Sequence, residues 1–115
     1  MFKVEILLDE EKIKKKGEYT PESIYKAIRE NFKLFDLKEI PTEDNTIVYR
    51  DKGRNEDYAG MWRVINVIYD ADWCKPYLVK CIWYSDEEYE NGELYSENVL
   101  EHFAKFDAKF DANSR

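Results

Sequence analysis

The chain has 115 residues, of which 43% are hydrophobic and 37% are charged. This length allows one domain, residues 1–115, with a core that needs no metal or disulfide, and the hydrophobic content excludes a disordered chain. The net charge of −7 is unevenly distributed along the chain. Residues 81–115 hold 9 acidic and 3 basic residues, whereas residues 1–80 hold 16 acidic and 15 basic residues. A surface of this sign repels phosphate, so we expect no direct nucleic-acid binding through this region.

The sequence from Met1 has neither the basic start nor the long apolar core of a signal peptide. No apolar run approaches the roughly 20 residues of a membrane span. We therefore expect a cytoplasmic protein without membrane contact. Cys74 and Cys81 are seven residues apart, about 10 Å along a helix, which exceeds the reach of a disulfide, so we expect two buried thiols.

The first half of the chain gives three clear patterns. Residues 2–8 alternate apolar and polar side chains and predict a strand. The polar residues 9–19 form a short helical turn around Ile13 or a loop. Residues 20–35 predict a helix, because Thr20 can cap it, Pro21 suits its first position and an apolar stripe follows at helical spacing.

The second half is more ambiguous. Residues 46–50 predict a strand, and residues 51–57 a polar loop. Residues 60–70 also fit a helical stripe, but their Val and Ile content leads us to predict a strand. Residues 73–84 are then predicted as a helix with Pro76 in its first turn, and residues 96–112 as an amphipathic helix capped by Ser96, with a frayed end at 112–115.

These elements give the order β-α-β-β-α-α. We predict an α+β fold with a three-stranded, mainly antiparallel sheet and helices packed on one face. Such an arrangement is shared by many unrelated domains and carries no functional information.

The sequence WYSDEEYENGELYSE, residues 83–97, is called the acid/tyrosine segment here. It holds six carboxylates and no Lys or Arg. A calcium loop beginning at Asp86 would place Asn91 where the sharp turn requires glycine, so we predict no metal site. Asn91-Gly92 instead favours a type I′ turn, and residues 84–96 then form a solvated acidic loop or a small hairpin.

The function that we predict is protein binding without catalysis and without a cofactor. In this hypothesis the rings supply contact area and the carboxylates select a partner with a basic patch. The partner-binding residues that we predict are Trp83, Tyr84, Asp86, Glu87, Glu88, Tyr89, Glu90, Glu93 and Tyr95. An alternative is an anionic inhibitor that mimics nucleic acid and blocks a nucleic-acid-binding protein.

Three other features of the sequence bear on function. The basic run at residues 12–16 is largely neutralised by neighbouring carboxylates, although it could attract the acidic segment of a second copy and form a homodimer. The loop at residues 51–60 lies near Arg50, Arg54 and Arg63, which could hold an anion, but an ordinary connection between two strands is favoured. A thiol enzyme would use Cys74 or Cys81 with His102, yet both thiols lie in apolar sequence, which makes a thiol inert.

Overall fold

A computed structural model describes residues 2–85 and 95–101 of the chain. The elements follow in the order β1 (Phe2–Leu8), α1 (Glu10–Lys16), α2 (Pro21–Leu34), β2 (Lys38–Ile40), β3 (Ile47–Arg50), α3 (Asp57–Asp70), a 3-10 turn (Lys75–Tyr77), β4 (Leu78–Ser85) and β5 (Tyr95–Asn98). The predicted frayed end at residues 112–115 lies outside the described residues.

The strands form one sheet in the order β2-β3-β1-β4-β5, and every neighbouring pair is antiparallel. The predicted α+β class with an antiparallel sheet is confirmed, but the predicted number of three strands is wrong because the sheet has five. β1 lies in the centre and pairs with β3 on one side and β4 on the other. The edge strand β2 was missed because three residues are too few to show a period.

The prediction of a strand over residues 60–70 is wrong, because this segment lies in α3. Its buried residues include Met61, Val64, Ile65 and Ile68, which follow helical spacing. β-Branched residues lower helix propensity only slightly. Burial of this stripe against the sheet therefore outweighs the local preference for a strand.

The prediction of a helix over residues 73–84 is also wrong, because only the 3-10 turn precedes strand β4. Cys81, Trp83 and Ser85 point to the core, while Ile82 and Tyr84 between them are half-buried on the other face. The alternation was hidden in the sequence because both faces of this strand carry apolar side chains. A run without polar alternation does not distinguish a strand from a helix.

The predicted helix over residues 96–112 begins later than expected, because Ser96 lies in β5 and the helical turn starts at residue 99. The Asn98 side chain provides the cap, since its Oδ1 accepts hydrogen bonds from the backbone N–H groups of Leu100 at 3.0 Å and Glu101 at 3.4 Å. The remainder of that predicted helix falls outside the described residues.

The predicted helix over residues 20–35 is confirmed by α2. Thr20 Oγ1 accepts from the Ser23 backbone N–H at 3.1 Å, and Ser23 Oγ accepts from the Thr20 N–H at 3.2 Å, which forms a reciprocal cap. Residues 10–16 form the short helix α1, which ends at Gly17. Its φ of 72° lies in the left-handed region that glycine adopts without strain.

One hydrophobic core joins the described helices to one face of the sheet. Val4 and Ile6 of β1 lie in it with residues of all three helices, such as Ile13, Ile28 and Val64. The alternate residues of β1 lie outside this core, so the opposite face of the sheet is not covered by α1, α2 or α3. Among the described residues, no helix has both the length and the apolar character needed to cross a membrane.

We expect Phe32→Ala to lower the free energy of unfolding by about 3–5 kcal/mol, because Phe32 is fully buried and stacks on Tyr49 at a centroid distance of 4.1 Å. Leu34→Ala is the matched control on the same helix, since Leu34 is 78% exposed, and it should change stability by less than about 0.5 kcal/mol. Urea unfolding followed by circular dichroism measures both. Equal losses for the two variants would contradict the packing of α2 described above.

Candidate protein-binding site

The two ends of the acid/tyrosine segment lie side by side at one end of the sheet. Ser85 at the end of β4 is the Cα partner of Tyr95 at the start of β5, and it also pairs with Phe2 of β1. Residues 86–94, which include Asp86, Glu87, Glu88, Tyr89, Glu90 and Glu93, lie outside the described residues. The structure thus fixes where this acidic connection starts and ends.

Trp83 lies in the core and not on the predicted surface. The residue is only 3% exposed, and its ring contacts Phe2, Tyr58 and Trp62 at centroid distances of 5.4, 5.7 and 4.9 Å. The alternation of β4 turns this side chain inward. Its ring is therefore not available for contact with a partner.

Tyr84 lies on the opposite face of the sheet, where it is half-buried among charged groups. Its hydroxyl donates to Glu5 Oε2 at 3.4 Å, and Lys3 Nζ lies 4.6 Å from the centre of its ring. Glu5 Oε2 also lies 2.8 Å from Lys80 Nζ. Burial alone would raise the pKa of Glu5, but Lys80 and Lys3 outweigh it, so this pKa lies below its ordinary value.

Most of the hydrogen-bond donors of the Arg54 side chain bind groups within the chain. Its Nε donates to Asp57 Oδ1 at 2.9 Å, its Nη1 to Asp36 Oδ2 at 3.2 Å, and its Nη2 to the carbonyls of Phe35 and Asp36 at 3.0 Å each. A guanidinium has five N–H donors, and these contacts leave little for an anion. The loop also joins β3 to α3 and not two strands, because residues 57–70 are helical.

The Asp57 carboxylate organises this loop from inside. Its side chain is completely buried, and Oδ2 accepts from the backbone N–H groups of Lys52 at 2.7 Å and Arg54 at 3.3 Å. Burial alone would raise the pKa of Asp57, but the hydrogen bonds and the charge of Arg54 lower it below its ordinary value. Arg54 and Asp57 therefore form a structural connection between the C-terminal end of α2 and the start of α3.

We expect Asp57→Ala to lower the free energy of unfolding by about 2–4 kcal/mol, because two backbone N–H groups and a guanidinium lose their acceptor. Glu56→Ala is the neighbouring control. Glu56 is an exposed carboxylate 3.9 Å from Arg54 Nε, and its loss should change stability by less than about 1 kcal/mol. Chemical unfolding at pH 7 measures both.

The same pair predicts a pH dependence. A carboxyl whose pKa is lower in the folded state stabilises the fold at pH values above its unfolded pKa, which is near 3.8. This stabilisation is lost as the pH falls through the folded pKa. The difference in stability between wild type and Asp57→Asn should thus be largest near neutral pH and shrink below pH about 4. A difference that grows on acidification would contradict the lowered pKa.

The two cysteines are buried, free and poorly suited to nucleophilic catalysis. Cys74 precedes the 3-10 turn and Cys81 lies on the core face of β4, so they do not share a helix. Burial raises the pKa of each thiol to about 12, which keeps both protonated near neutral pH. His102, their predicted partner, lies outside the described residues.

We expect both thiols to resist alkylation by iodoacetamide in the folded protein, because the reactive thiolate is absent and the sulfur atoms are inaccessible. Both should react within minutes once urea unfolds the chain. Mass spectrometry of peptides digested after a timed exposure gives the rate at each site. Rapid modification of either cysteine in the native state would revive the thiol-enzyme alternative.

A groove on α3 was not foreseen from the sequence, because this segment was predicted as a strand. Its volume is ≈ 860 Å³, and its lining includes Phe35, Trp62 and Val67 together with charged residues of both signs. A Cβ at Gly60 would lie 3.1 Å from the Phe35 ring, so glycine permits the close approach of α2 and α3 here. The mixed charge of the lining does not select a class of ligand.

Within residues 2–85 and 95–101, no group of three or more His, Cys, Asp or Glu side chains is placed to hold a metal ion. Comparisons with protein-family models, with curated proteins and with solved structures give no significant match to this chain. Function is therefore inferred from the geometry of the chain itself.

Proposed function

We propose that this protein binds a partner protein through the acid/tyrosine segment and does so without catalysis. The observation that carries the proposal is the pairing of Ser85 with Tyr95, which anchors both ends of an acidic connection at one end of the sheet. That connection, residues 86–94, holds five carboxylates and no Lys or Arg. A surface anchored in this way loses less conformational entropy on binding than a free acidic tail would.

The charge of the segment specifies the class of partner. Carboxylates displayed together attract a basic patch, increase the rate of encounter and disfavour acidic partners. Tyrosine side chains supply contact area with a polar tip, which suits a binding surface. The proposed surface comprises Tyr84, Asp86, Glu87, Glu88, Tyr89, Glu90, Glu93 and Tyr95, and it omits the buried Trp83.

The experiment is affinity capture from a lysate of the native host with three baits. The first is the wild type, and the second carries Asn at Asp86 and Gln at Glu87, Glu88, Glu90 and Glu93. The third is a control of equal charge with Gln at Glu11, Glu18, Glu30 and Glu43 and Asn at Asp72, all of which are exposed and outside the segment.

We expect a protein with a basic surface that is retained by the wild type and the control but lost, by at least about tenfold, with the segment variant, because rim and steering charges act locally. Release of that protein by added DNA would favour the alternative of an anionic inhibitor. Equal recovery by all three baits would mean that the segment is a solvated connection. Unfolding curves of the three baits check that each is folded.

A further inference from the structure

The face of the sheet opposite the helices carries a row of three cations. Lys38 of β2 is the Cα partner of Arg50 in β3, which is the partner of Lys3 in β1. Directly paired residues of antiparallel strands point to the same face with their Cβ atoms about 5 Å apart. We call these three residues the basic row, and Tyr84 of β4 continues it as the next partner of Lys3.

The positive charge of the basic row is only partly compensated. Lys3 Nζ lies 3.6 Å from Glu5 Oε1, but Lys80 is the closer partner of that carboxylate. Among the described residues, Arg50 Nε donates to the carbonyl of its neighbour Asp51 at 3.2 Å. In the described part of the chain, neither Lys38 nor Arg50 has a carboxylate within ion-pair distance. Like charges side by side on a sheet are destabilising, and an anion bound between them would relieve that repulsion.

Apolar side chains accompany the cations on this face. Ile40, Val48, Glu5 and Ile82 are successive partners in the next row across the sheet. Val48 is buried, whereas Ile40 and Ile82 are half-buried, and none of the three belongs to the core formed with the helices. The face therefore offers cations beside aliphatic contact area, which fits an acidic polypeptide that also carries apolar residues.

The aromatic content of this face does not suit nucleic acid. Single-stranded nucleic acid binds by stacking its bases on exposed rings. Tyr84 is the aromatic residue in the described rows of this face, and the ammonium of Lys3 lies over its ring.

We infer that the sheet face opposite α1, α2 and α3 is a second binding surface, which takes an acidic and partly apolar segment of a partner protein through Lys38, Arg50 and Lys3. This surface carries the opposite sign to the acid/tyrosine segment and borders it at Tyr84, and it takes a different partner, so it goes beyond the proposed function. At physiological ionic strength charges act over about 8 Å, so the local row, and not the net charge, governs contact.

The test uses a synthetic fluorescein-labelled peptide in which four glutamates alternate with isoleucine and threonine. Fluorescence anisotropy gives its dissociation constant with the full chain. We expect saturable binding that weakens several-fold between 50 and 300 mM salt. Binding should weaken by at least about tenfold in the variant Lys38→Gln with Arg50→Gln.

The matched control is Lys14→Gln with Lys26→Gln, which removes two exposed cations elsewhere and should bind as the wild type does. The same peptide with glutamine in place of glutamate should not bind. A 12-nucleotide single-stranded DNA competes in a second series, and it should bind more weakly than the acidic peptide.

The free energy of unfolding of the Lys38/Arg50 double variant separates binding from a structural role. It should equal or exceed that of the wild type at low salt, because two repelling cations are removed. A lower value with unchanged peptide binding would show that the charges are compensated within the chain, and it would overturn the inference. Equal peptide binding by all variants, no saturable binding, or tighter binding of DNA would also overturn it.

Discussion

The central position of β1 is the constraint on which the rest of the structure depends. This strand pairs with β3 and with β4, which follow it by about forty and seventy residues in the chain, and both pairings fix which side chains share a face. A shift of either register by one residue would move every apolar side chain of that partner to the other face. The apolar side chains of that partner could then no longer join Val4 and Ile6 in one core.

Two surfaces of opposite charge follow from this arrangement. The ladder between β4 and β5 brings the ends of the acidic connection together at the end of the sheet. The ladders among β2, β3 and β1 place Lys38, Arg50 and Lys3 in one row on the face opposite α1, α2 and α3. The net charge of the chain therefore describes neither surface well. The two proposed surfaces have opposite charge, and together they would allow one small domain to hold two partners at once.

Prediction from the sequence succeeded where a local signal and a tertiary contact agree. β1 and α2 were predicted because an alternating pattern, or a cap with a stripe behind it, coincides with the face that becomes buried. The segment that forms α3 was predicted as a strand, and the segment that forms β4 as a helix. Each carries apolar residues beyond a single stripe or face, so the period of the apolar pattern was ambiguous. Trp83 shows the consequence for the site, since its inward direction depends on β4 being a strand. The basic row could not be predicted, because Lys3, Lys38 and Arg50 are distant in sequence and only the register joins them.

The edge strand β2 has a consequence for how the protein behaves at high concentration. It is three residues long, and Pro41 behind it has no N–H to donate. The Glu39 side chain is hydrogen-bonded within the chain, because its Oε1 accepts from the Tyr49 hydroxyl at 2.7 Å and from Arg29 Nε at 3.1 Å. A short strand that ends in proline offers too few free hydrogen-bonding groups to template another sheet. The β2 edge is thereby protected against the edge-to-edge growth that leads to fibrils.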